Sequence, residues 1–245
     1  MRYDRANQND PLVWRVSPLS SAKYEMPVTA AVIQTTKLLE RRWVSEKVFE
    51  IKLSRPSSLT FKAGQTIRFV YQGLERHYSL TSAPQDPDLS LCVRFIEKGA
   101  FSGVLAAAEP GTPFTFTGPH GYFTYRPSSR PAMFVATGTG IAPFCSMARS
   151  GITGFTLLHG VGLPDDLYYA SQFQQSARKY IPCLTEVNNL PPNTFRGKVT
   201  DYLDQPLTPG IYDFYLCGRS EMIRDVTLLI DDRFPGSLIY TEMFY

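Results

Sequence analysis

The stretch "ATGTGIAPF", residues 136–144, decides how the second half of the chain folds. A glycine-rich turn between an apolar run and a helix lets the backbone approach a phosphate, and the N-terminus of that helix offers unpaired N–H groups and a positive dipole. Pro143 suits the first helical turn, where a missing N–H costs little. Because the stretch is neither GxGxxG nor GxxxxGKS/T, a purely structural strand-to-helix turn stays an equally open interpretation.

Downstream of this turn, apolar runs alternate with longer mixed segments that can form helices. The apolar runs cover residues 132–138, 154–161, 180–187, 212–218 and 237–243. The helical segments cover residues 142–150, 166–179 and 220–233. This alternation predicts an α/β domain in which helices flank a parallel sheet.

Upstream of the turn, short alternating segments are separated by Gly, Pro and Asp. They cover residues 28–36, 47–54, 65–72, 76–82, 89–97 and 113–118. Strands this short at such regular spacing predict a β-barrel or a sandwich. We therefore divide the chain into three parts, with "RPSSRP" (126–131) as the linker between the last two. They are an N-terminal extension (1–27), a segment of short strands (28–126) and an α/β domain (131–245).

Composition limits the function classes that fit the chain. With 245 residues, 43% of them hydrophobic and 19% charged, the chain is predicted to be a soluble globular protein. A net charge of +3 is too small to argue for nucleic acid as a partner. The longest apolar passage, residues 132–144, is broken by glycines and falls short of the roughly 20 residues that a membrane span needs. Since the first ten residues are polar and charged, we expect no signal peptide and a cytoplasmic location.

The spacing of cysteines and histidines argues against a metal site. The cysteines are Cys92, Cys145, Cys183 and Cys217. The histidines are His77, His120 and His159. The cysteine spacing fits neither a zinc site nor an iron–sulfur cluster, and the histidines show no helical i, i+4 pair. We therefore expect no metal in the chain and no disulfide framework.

A second stretch, "ERHYSLTSAP" (75–84), concentrates hydrogen-bonding side chains around one planar ring at the end of a predicted strand. The alternation indicates the strand, and Pro84 ends it. One interpretation is an edge strand with a solvated polar face. The other is a binding site for a ligand that is anionic at one end and flat at the other.

Several motifs occur in an order that carries a family resemblance. They are "RHYSLTS" (76–82), "EKGAFSGVL" (97–105), "GPHGYF" (118–123), "GTGIAP" (138–143), "LCGRSEMI" (216–223) and "EMFY" (242–245). Together, over residues 28–245, they resemble the ferredoxin-NADP reductase-like flavoprotein family. The resemblance implies an antiparallel, flavin-binding β-barrel followed by an α/β parallel-sheet domain that binds a nicotinamide nucleotide.

The resemblance implies roles for the residues of the second stretch. Arg76 pairs with the flavin phosphate, for which a planar fork of donors is well suited. Tyr78 lies against the isoalloxazine, and Ser79 places its hydroxyl near N5, the atom that accepts hydride. The alternation of side chains along a strand supports these separate roles, because residues 76 and 78 share one strand face and residue 79 lies on the other. Thr81 is either a secondary flavin contact or a turn residue.

The flavin tail is expected to lie along the next strand and the helix after it. By the resemblance, Arg94, Phe95 and Ile96 line the tail, and Phe101 and Ser102 place a helix N-terminus at the diphosphate. An ordinary N-cap is the alternative role for Ser102, and both roles can hold at once. This pattern resembles the members that bind FAD more than those that use FMN, so we expect FAD.

In the second domain, the resemblance assigns the nucleotide to two glycine-containing turns. Gly138, Thr139 and Gly140 match the positions that hold the nucleotide diphosphate. Cys217 and Gly218 match the C-G pair beside the nicotinamide. We expect Cys217 to pack and position rather than to attack covalently, because no histidine base stands beside it in sequence.

The C-terminal residues depart from one version of the family pattern. Members that resemble plant-type reductases end with a carboxylate, one residue and a tyrosine, whereas Glu242 is followed by three residues. Counting from Glu242 places Phe244 over the flavin, and counting from the end places Tyr245 there; we favour Phe244. Glu242 is expected to orient nicotinamide or relay a proton, and the alternative is an ordinary exposed terminal acid.

The resemblance implies hydride transfer from NAD(P)H to FAD N5, followed by single-electron delivery to a separate iron–sulfur or flavin redox protein, such as a ferredoxin, a flavodoxin or an oxygenase component. Two alternatives remain open. One is a stand-alone reductase of free flavin or ferric chelates, and the other is a non-catalytic, flavin-binding regulatory subunit. We expect a monomer or a weak dimer.

NADH is the expected nucleotide. Reading the 2′-phosphate of NADPH takes a cation beside the ribose. The segments expected there instead carry the acids Asp165, Asp166 and Glu186. An acid repels a phosphate but accepts a hydrogen bond from a free 2′-hydroxyl. The cations that could fold back into the site are Arg178, Lys179 and Arg196.

Overall fold

The computed structural model describes residues 32–244. The predicted extension over residues 1–27, the first part of the predicted strand at 28–36, and the alternative placement of Tyr245 over the flavin lie outside the described residues. None of the helices within residues 32–244 is long and apolar enough to cross a membrane.

The first half forms a six-stranded antiparallel sheet in the order β4-β3-β6-β1-β2-β5. Its strands are β1 (Ile33–Ser45), β2 (Val48–Ser54), β3 (Thr66–Tyr71), β4 (Leu74–Ser79), β5 (Asp88–Arg94) and β6 (Pro113–His120). A bridge between Leu80 and Leu91 joins the two outer strands, so the sheet closes into a barrel. The barrel prediction is confirmed, and the sandwich alternative is wrong.

Strand β1 is longer than the sequence predicts. The alternating pattern ends at residue 36, whereas β1 continues to Ser45. Its first part pairs with β6 and its second part with β2, with register shifts at Leu38/Glu40 and Trp43/Ser45. Glu40 and Arg42 of the second part form cross-strand ion pairs, and the half-buried Arg41 donates to the Ala108 carbonyl. This part therefore does not show the alternation of a half-buried strand.

One short helix, α1 (Ser102–Ala107), covers an end of the barrel. Phe101 and Leu105 are buried in the barrel core. The Phe101 ring packs on Phe69, with ring centroids 5.2 Å apart. Burial of these aromatic side chains supplies much of the free energy that holds the helix in place.

The second half forms a six-stranded parallel sheet in the order β10-β9-β8-β7-β11-β12. Its strands are β7 (Ala132–Thr137), β8 (Thr156–Val161), β9 (Lys179–Leu184), β10 (Phe195–Arg196), β11 (Asp213–Arg219) and β12 (Leu238–Phe244). Its helices are α2 (Ala142–Arg149), α3 (Ala170–Ser176), α4 (Val199–Asp204) and α5 (Ser220–Arg233). The predicted α/β fold is confirmed. Because β7 and β11 are neighbours while the chain leaves β7 toward β8, the strand order reverses between them, and ligands bind at such a crevice.

Three features of this half differ from the sequence prediction. The sequence does not predict strand β10 or helix α4, because each is short and lacks a clear apolar period. Helix α3 begins at Ala170 rather than near 166, because Tyr169 adopts a left-handed conformation with φ of 61°.

The barrel and the parallel sheet share one apolar cluster. Phe123, which follows β6, packs against Phe144 of α2 and Tyr215 of β11, with ring centroids 5.7 and 6.1 Å apart. A buried hydrogen bond adds to this contact, since Ser146 Oγ of α2 donates to the Ser82 carbonyl at 2.6 Å. The shared core fixes the two halves relative to each other.

The linker is anchored to the start of β11. The buried Asp213 carboxylate accepts a hydrogen bond from Ser128 and forms an ion pair with Arg130 at 2.9 Å. Tyr215 Oη accepts from the Arg126 N–H at 3.0 Å. A buried carboxylate needs such partners, so these contacts hold linker and strand together.

We expect Asp213→Ala to lower the free energy of unfolding by about 1–3 kcal/mol, because the change leaves Ser128 and Arg130 without their acceptor. Urea denaturation measures the effect. Asp225→Ala is the matched control, because the Arg224–Asp225 pair is exposed and such pairs contribute about 0–1 kcal/mol. Equal losses in the two variants would contradict the anchoring role.

Candidate functional site

The carboxyl ends of four strands, β4, β7, β11 and β12, converge at one place. Ser79 ends β4 and is 2% exposed. Its Oγ donates a hydrogen bond to Glu242 Oε2 of β12 at 3.1 Å, across 163 residues of sequence. Two of the residues assigned to catalysis from the sequence therefore meet, one from the barrel and one from the parallel sheet.

The environment of Glu242 changes its proton affinity. The residue is half-buried and lies opposite Cys217 in the β11–β12 ladder. Burial raises the pKa of Glu242 from its usual value near 4.5 to about 7, although the hydrogen bond from Ser79 opposes the shift. Glu242 is thus not the exposed terminal acid of the alternative interpretation. Its carboxyl group can take up or release a proton near neutral pH.

Cys217 is completely buried at the end of β11. Burial raises the pKa of its thiol well above the usual range, and the neighbouring Glu242 carboxylate adds to the effect. Since covalent attack requires a thiolate, this environment favours the packing and positioning role.

The ends of β7 and β11 approach so closely that two positions need glycine. A Cβ at Gly140 would overlap the Cys217 carbonyl oxygen, and a Cβ at Gly218 would overlap Thr137 Oγ1. Gly218 also has a φ of +146°, which side chains rarely adopt. The close approach of β7 and β11 thus explains why position 218 of the C-G pair is a glycine, in addition to any contact with a ligand.

The turn after β7 has the predicted strand-to-helix geometry, with one addition. A 3-10 turn, Gly138–Ile141, comes between β7 and α2, and Pro143 lies in the first turn of α2. Gly138 has a φ of +53°, and a Cβ built there would meet nothing within 4 Å. The space beside the Gly138 backbone is therefore open to a ligand.

The predicted flavin face of β4 carries Arg76 and Tyr78. In the ladder with β3 they stand opposite Phe69 and Ile67, while Ser79 lies on the other face. Arg76 is exposed and donates to the Glu75 carbonyl at 2.7 Å. Tyr78 is half-buried, and burial raises its pKa to about 12, so its phenol stays neutral.

Thr81 and the tail-lining residues differ in exposure. Thr81 is fully buried, and its Oγ1 makes no hydrogen bond with the residues that the structure describes. Its side chain is therefore closed off from a ligand at the surface. Arg94 and Ile96 are exposed, and Phe95 is half-buried.

Ser102 pins the loop that precedes α1. Its Oγ accepts from the Ile96 N–H at 3.1 Å and donates to the Ile96 carbonyl at 3.3 Å. The alternative role of Ser102 as N-cap is wrong, because Phe101 holds that position and Ser102 is the first helical residue. Phe101 is buried, so only its backbone can face a diphosphate.

An open cavity of about 330 Å³ lies beside Glu242. Its lining residues are Gly121, Tyr122, Phe123, Tyr240, Thr241 and Glu242. Tyr122 is 92% exposed, which is unusual for a tyrosine. Sequence reasoning assigned no role to Tyr122 or Tyr240, although the "GPHGYF" motif contains the first. Its exposed ring next to a titratable acid marks it as part of the site.

Glu186 lies at the carboxyl edge of the parallel sheet. Its N–H donates to the Gly162 carbonyl at 2.9 Å. Its carboxylate covers Gly162 so closely that a Cβ there would lie 3.0 Å from Oε1. An acid therefore stands between the ends of β8 and β9.

The three cations that could fold back into the nucleotide site do not reach Glu186 as free side chains. Arg196 donates to the Val187 carbonyl at 2.7 Å and the Asn188 carbonyl at 2.9 Å, so it braces the loop after β9. Arg178 and Lys179 stand at the amino end of β9, which is the opposite edge of the sheet.

Two sequence families match the two halves of the chain. The family described as the oxidoreductase FAD-binding domain matches residues 35–125, and the oxidoreductase NAD-binding domain matches residues 134–227. Within residues 32–244, no group of three or more His, Cys, Asp or Glu side chains is arranged to hold a metal ion.

The chain is similar to two kinds of reductase in sequence. It is 35% identical over 155 residues to ferredoxin–NADP reductase B of Sorangium cellulosum, covering 58% of this chain and 64% of that protein. It is 29% identical over 215 residues to the toluate 1,2-dioxygenase electron transfer component of Pseudomonas putida, covering 82% of this chain and 62% of that protein. The chain spans less than two thirds of the length of either relative.

The fold is similar to that of a known crystal structure. The ferredoxin NADP+ reductase from Neisseria gonorrhoeae, with bound FAD and NADP, superposes with a TM-score of 0.76 at 25% identity, over 87% of this chain and 99% of that one. Both halves thus match in sequence family and in fold, and the chain belongs to the ferredoxin-NADP reductase-like flavoprotein family.

Proposed function

We propose that the chain is a flavin-dependent NAD(P)H oxidoreductase that passes electrons to a separate redox protein. The hydrogen bond between Ser79 and Glu242 carries the proposal, because it places a hydroxyl from the flavin side beside a titratable acid from the nicotinamide side. FAD, when bound, supplies the chemistry that accepts two electrons together and returns them singly.

The described residues fit FAD. Arg76 is exposed on the same strand face as Tyr78, so a guanidinium for the phosphate and a ring for the isoalloxazine stand two residues apart. For the nicotinamide nucleotide, the open space beside Gly138 lies at the turn to which the family resemblance assigns the diphosphate. The exposed Tyr122 ring borders the open cavity beside Glu242.

Protonation of Glu242 changes what Ser79 can do. An ionised carboxylate only accepts hydrogen bonds, so it holds the Ser79 hydroxyl proton. A protonated carboxyl group can donate to Ser79 Oγ instead, which frees the hydroxyl proton to point at the reacting ring. Because the pKa of Glu242 is about 7, both states are populated near neutral pH.

An iron–sulfur or flavin redox protein is the proposed acceptor. The P. putida relative is an electron transfer component of a dioxygenase, which supports an acceptor of this kind. We also propose that the protein is a monomer or a weak dimer and that it is located in the cytoplasm. Reduction of free flavin or ferric chelates, or a regulatory role without catalysis, are the competing functions.

Stopped-flow mixing with reduced nicotinamide tests the proposal. We expect the purified protein to be yellow, to release FAD on boiling, and to lose its flavin absorbance within a catalytic turnover. A regulatory subunit would bleach far more slowly. Cytochrome c reduction that does not increase when a ferredoxin is added would instead favour a stand-alone reductase.

We expect Ser79→Ala to retain flavin but to slow flavin reduction by about 10²–10³, the usual cost of losing one donor at a reacting centre. Single-turnover stopped-flow kinetics measure the rate. Ser58→Ala, at an exposed position of the barrel, is the matched control and should match the wild type. An unchanged rate in Ser79→Ala would remove Ser79 from the mechanism.

The rate of flavin reduction should fall as the pH rises through about 7, because ionised Glu242 then holds the Ser79 proton. In Glu242→Gln the rate should not vary between pH 6 and pH 8, since the amide has no ionisation in this range. The pH profile of the single-turnover rate tests this. A variant that keeps the wild-type profile would assign the titration to another group.

We propose that NADH is preferred, because Glu186 repels a 2′-phosphate and can accept from a 2′-hydroxyl. Glu186→Gln should improve kcat/KM for NADPH relative to NADH by about fivefold, since one unit charge at close range is worth about 1 kcal/mol in water. Glu109→Gln, at an exposed position of the barrel, is the control. A wild-type ratio that favours NADPH tenfold would overturn the preference.

A further inference from the structure

A completely buried histidine, His159 of β8, lies beneath the glycine-rich turn that follows β7. It stands opposite Ala136 in the β7–β8 ladder, so the two side chains share one face of the sheet. Ala136 packs in the same apolar cluster as Ile141, the last residue of the Gly138–Ile141 turn. The turn therefore folds over the sheet face from which the imidazole ring of His159 projects.

Aromatic neighbours hold the imidazole ring in place. The centroids of the Tyr168 and Tyr180 rings lie 6.2 and 6.3 Å from the centroid of His159. The Tyr180 hydroxyl is hydrogen-bonded to His159 Nδ1 at 3.1 Å. Burial lowers the pKa of His159 to about 4, so the ring is neutral and carries a single proton. When Tyr180 donates to Nδ1, that proton lies on Nε2.

The second ring nitrogen has no partner. His159 Nε2 is buried and makes no hydrogen bond with the residues that the structure describes. The Gly138 backbone opposes the effect of burial on the pKa of His159, and a backbone group acts in this direction when its carbonyl faces the ring. A buried donor without an acceptor is costly, so an approach of the turn that completes this bond lowers the free energy.

Gly138 lies between the buried ring and open space. Its φ is +53°, and a Cβ built there would meet nothing within 4 Å. The turn stands at the carboxyl end of β7, where the strand order reverses and ligands bind. A ligand on the open side and the imidazole on the buried side therefore act on the same residue.

We propose that His159 is a positioning residue for the nicotinamide nucleotide, and that its Nε2–H group holds the turn in the binding conformation by donating to the Gly138 carbonyl. Tyr180 sets the tautomer by donating to Nδ1. Because the fully buried ring reaches neither the nucleotide nor the flavin, it changes the affinity for the nucleotide and leaves the hydride step alone. The proposal rests on the proposed function, since it requires that the turn bind NAD(P)H.

NMR of the histidine ring nitrogens tests this bond in the FAD-loaded protein, whose chain has three histidines. The His159 signals are identified by their loss in His159→Gln. Before nucleotide is added, Nδ1 should give the signal of an acceptor nitrogen and Nε2 that of a protonated one. Saturation with NAD+ should move the Nε2–H proton signal downfield, as a hydrogen bond does. A proton on Nδ1, or an Nε2–H signal that does not move at saturation, would overturn the proposal.

Variants separate positioning from packing. His159→Leu removes the donor and should raise the Kd for NAD+ about 2- to 12-fold, the usual worth of one hydrogen bond, with kcat at saturating NADH unchanged. His159→Gln keeps a donor near the position of Nε2 and should restore the wild-type Kd. Tyr180→Phe no longer fixes the tautomer, so its Kd should rise. A Gln variant as impaired as the Leu variant would show a packing role and contradict positioning.

Tyr212→Phe is the matched control, because it also removes one hydroxyl, which donates to the Thr208 carbonyl at 2.8 Å. Tyr212 precedes β11 at the opposite edge of the sheet, so this variant should bind NAD+ as the wild type does. If His159→Leu does not fold, equal Kd values for His159→Gln and Tyr180→Phe overturn the proposal. A wild-type protein that binds no nucleotide would instead refute the proposed function, whereas binding that leaves the His159 signal in place refutes only the role of His159.

Discussion

The hydrogen bond between Ser79 and Glu242 is the contact on which the site depends, and it exists only because two sheets are held at a fixed distance. No local interaction brings the two residues together, because 163 positions separate them in sequence. The shared apolar cluster around Phe123 and Phe144 supplies that constraint, and the anchored linker at Asp213 reinforces it. A site at such a junction is sensitive to any shift between the two halves.

Close packing of strand ends then sets the electrostatics. Because Gly140 and Gly218 let β7 and β11 approach, Cys217 is sealed from water and Glu242 lies beside it on β12. The same burial keeps the thiol protonated and brings the pKa of Glu242 close to neutral. Burial at this junction thus governs the protonation of both the Cys217 thiol and the Glu242 carboxyl group that bonds to Ser79.

Most of the fold could be predicted from the sequence, because periodicity and turn residues are local signals. Helix α5 matches its predicted range, and the strand-to-helix turn at Gly138 is confirmed. The second part of β1, with Trp43, could not be predicted, because charged residues interrupt its apolar alternation and register shifts break its pairing with β2. The delayed start of α3 depends on the left-handed Tyr169, which no local pattern indicates.

For the site, the sequence by itself determined the residue types and the strand faces. Alternation along β4 placed Arg76 and Tyr78 on one face and Ser79 on the other, and the ladder with β3 agrees. Only the tertiary structure decided that Ser79 bonds to Glu242, that Arg196 is occupied by loop carbonyls, and that His159 is buried beside Tyr180. The reason is physical: a face follows from backbone geometry within a few residues, whereas burial, proton affinity and partners depend on which distant surfaces pack together.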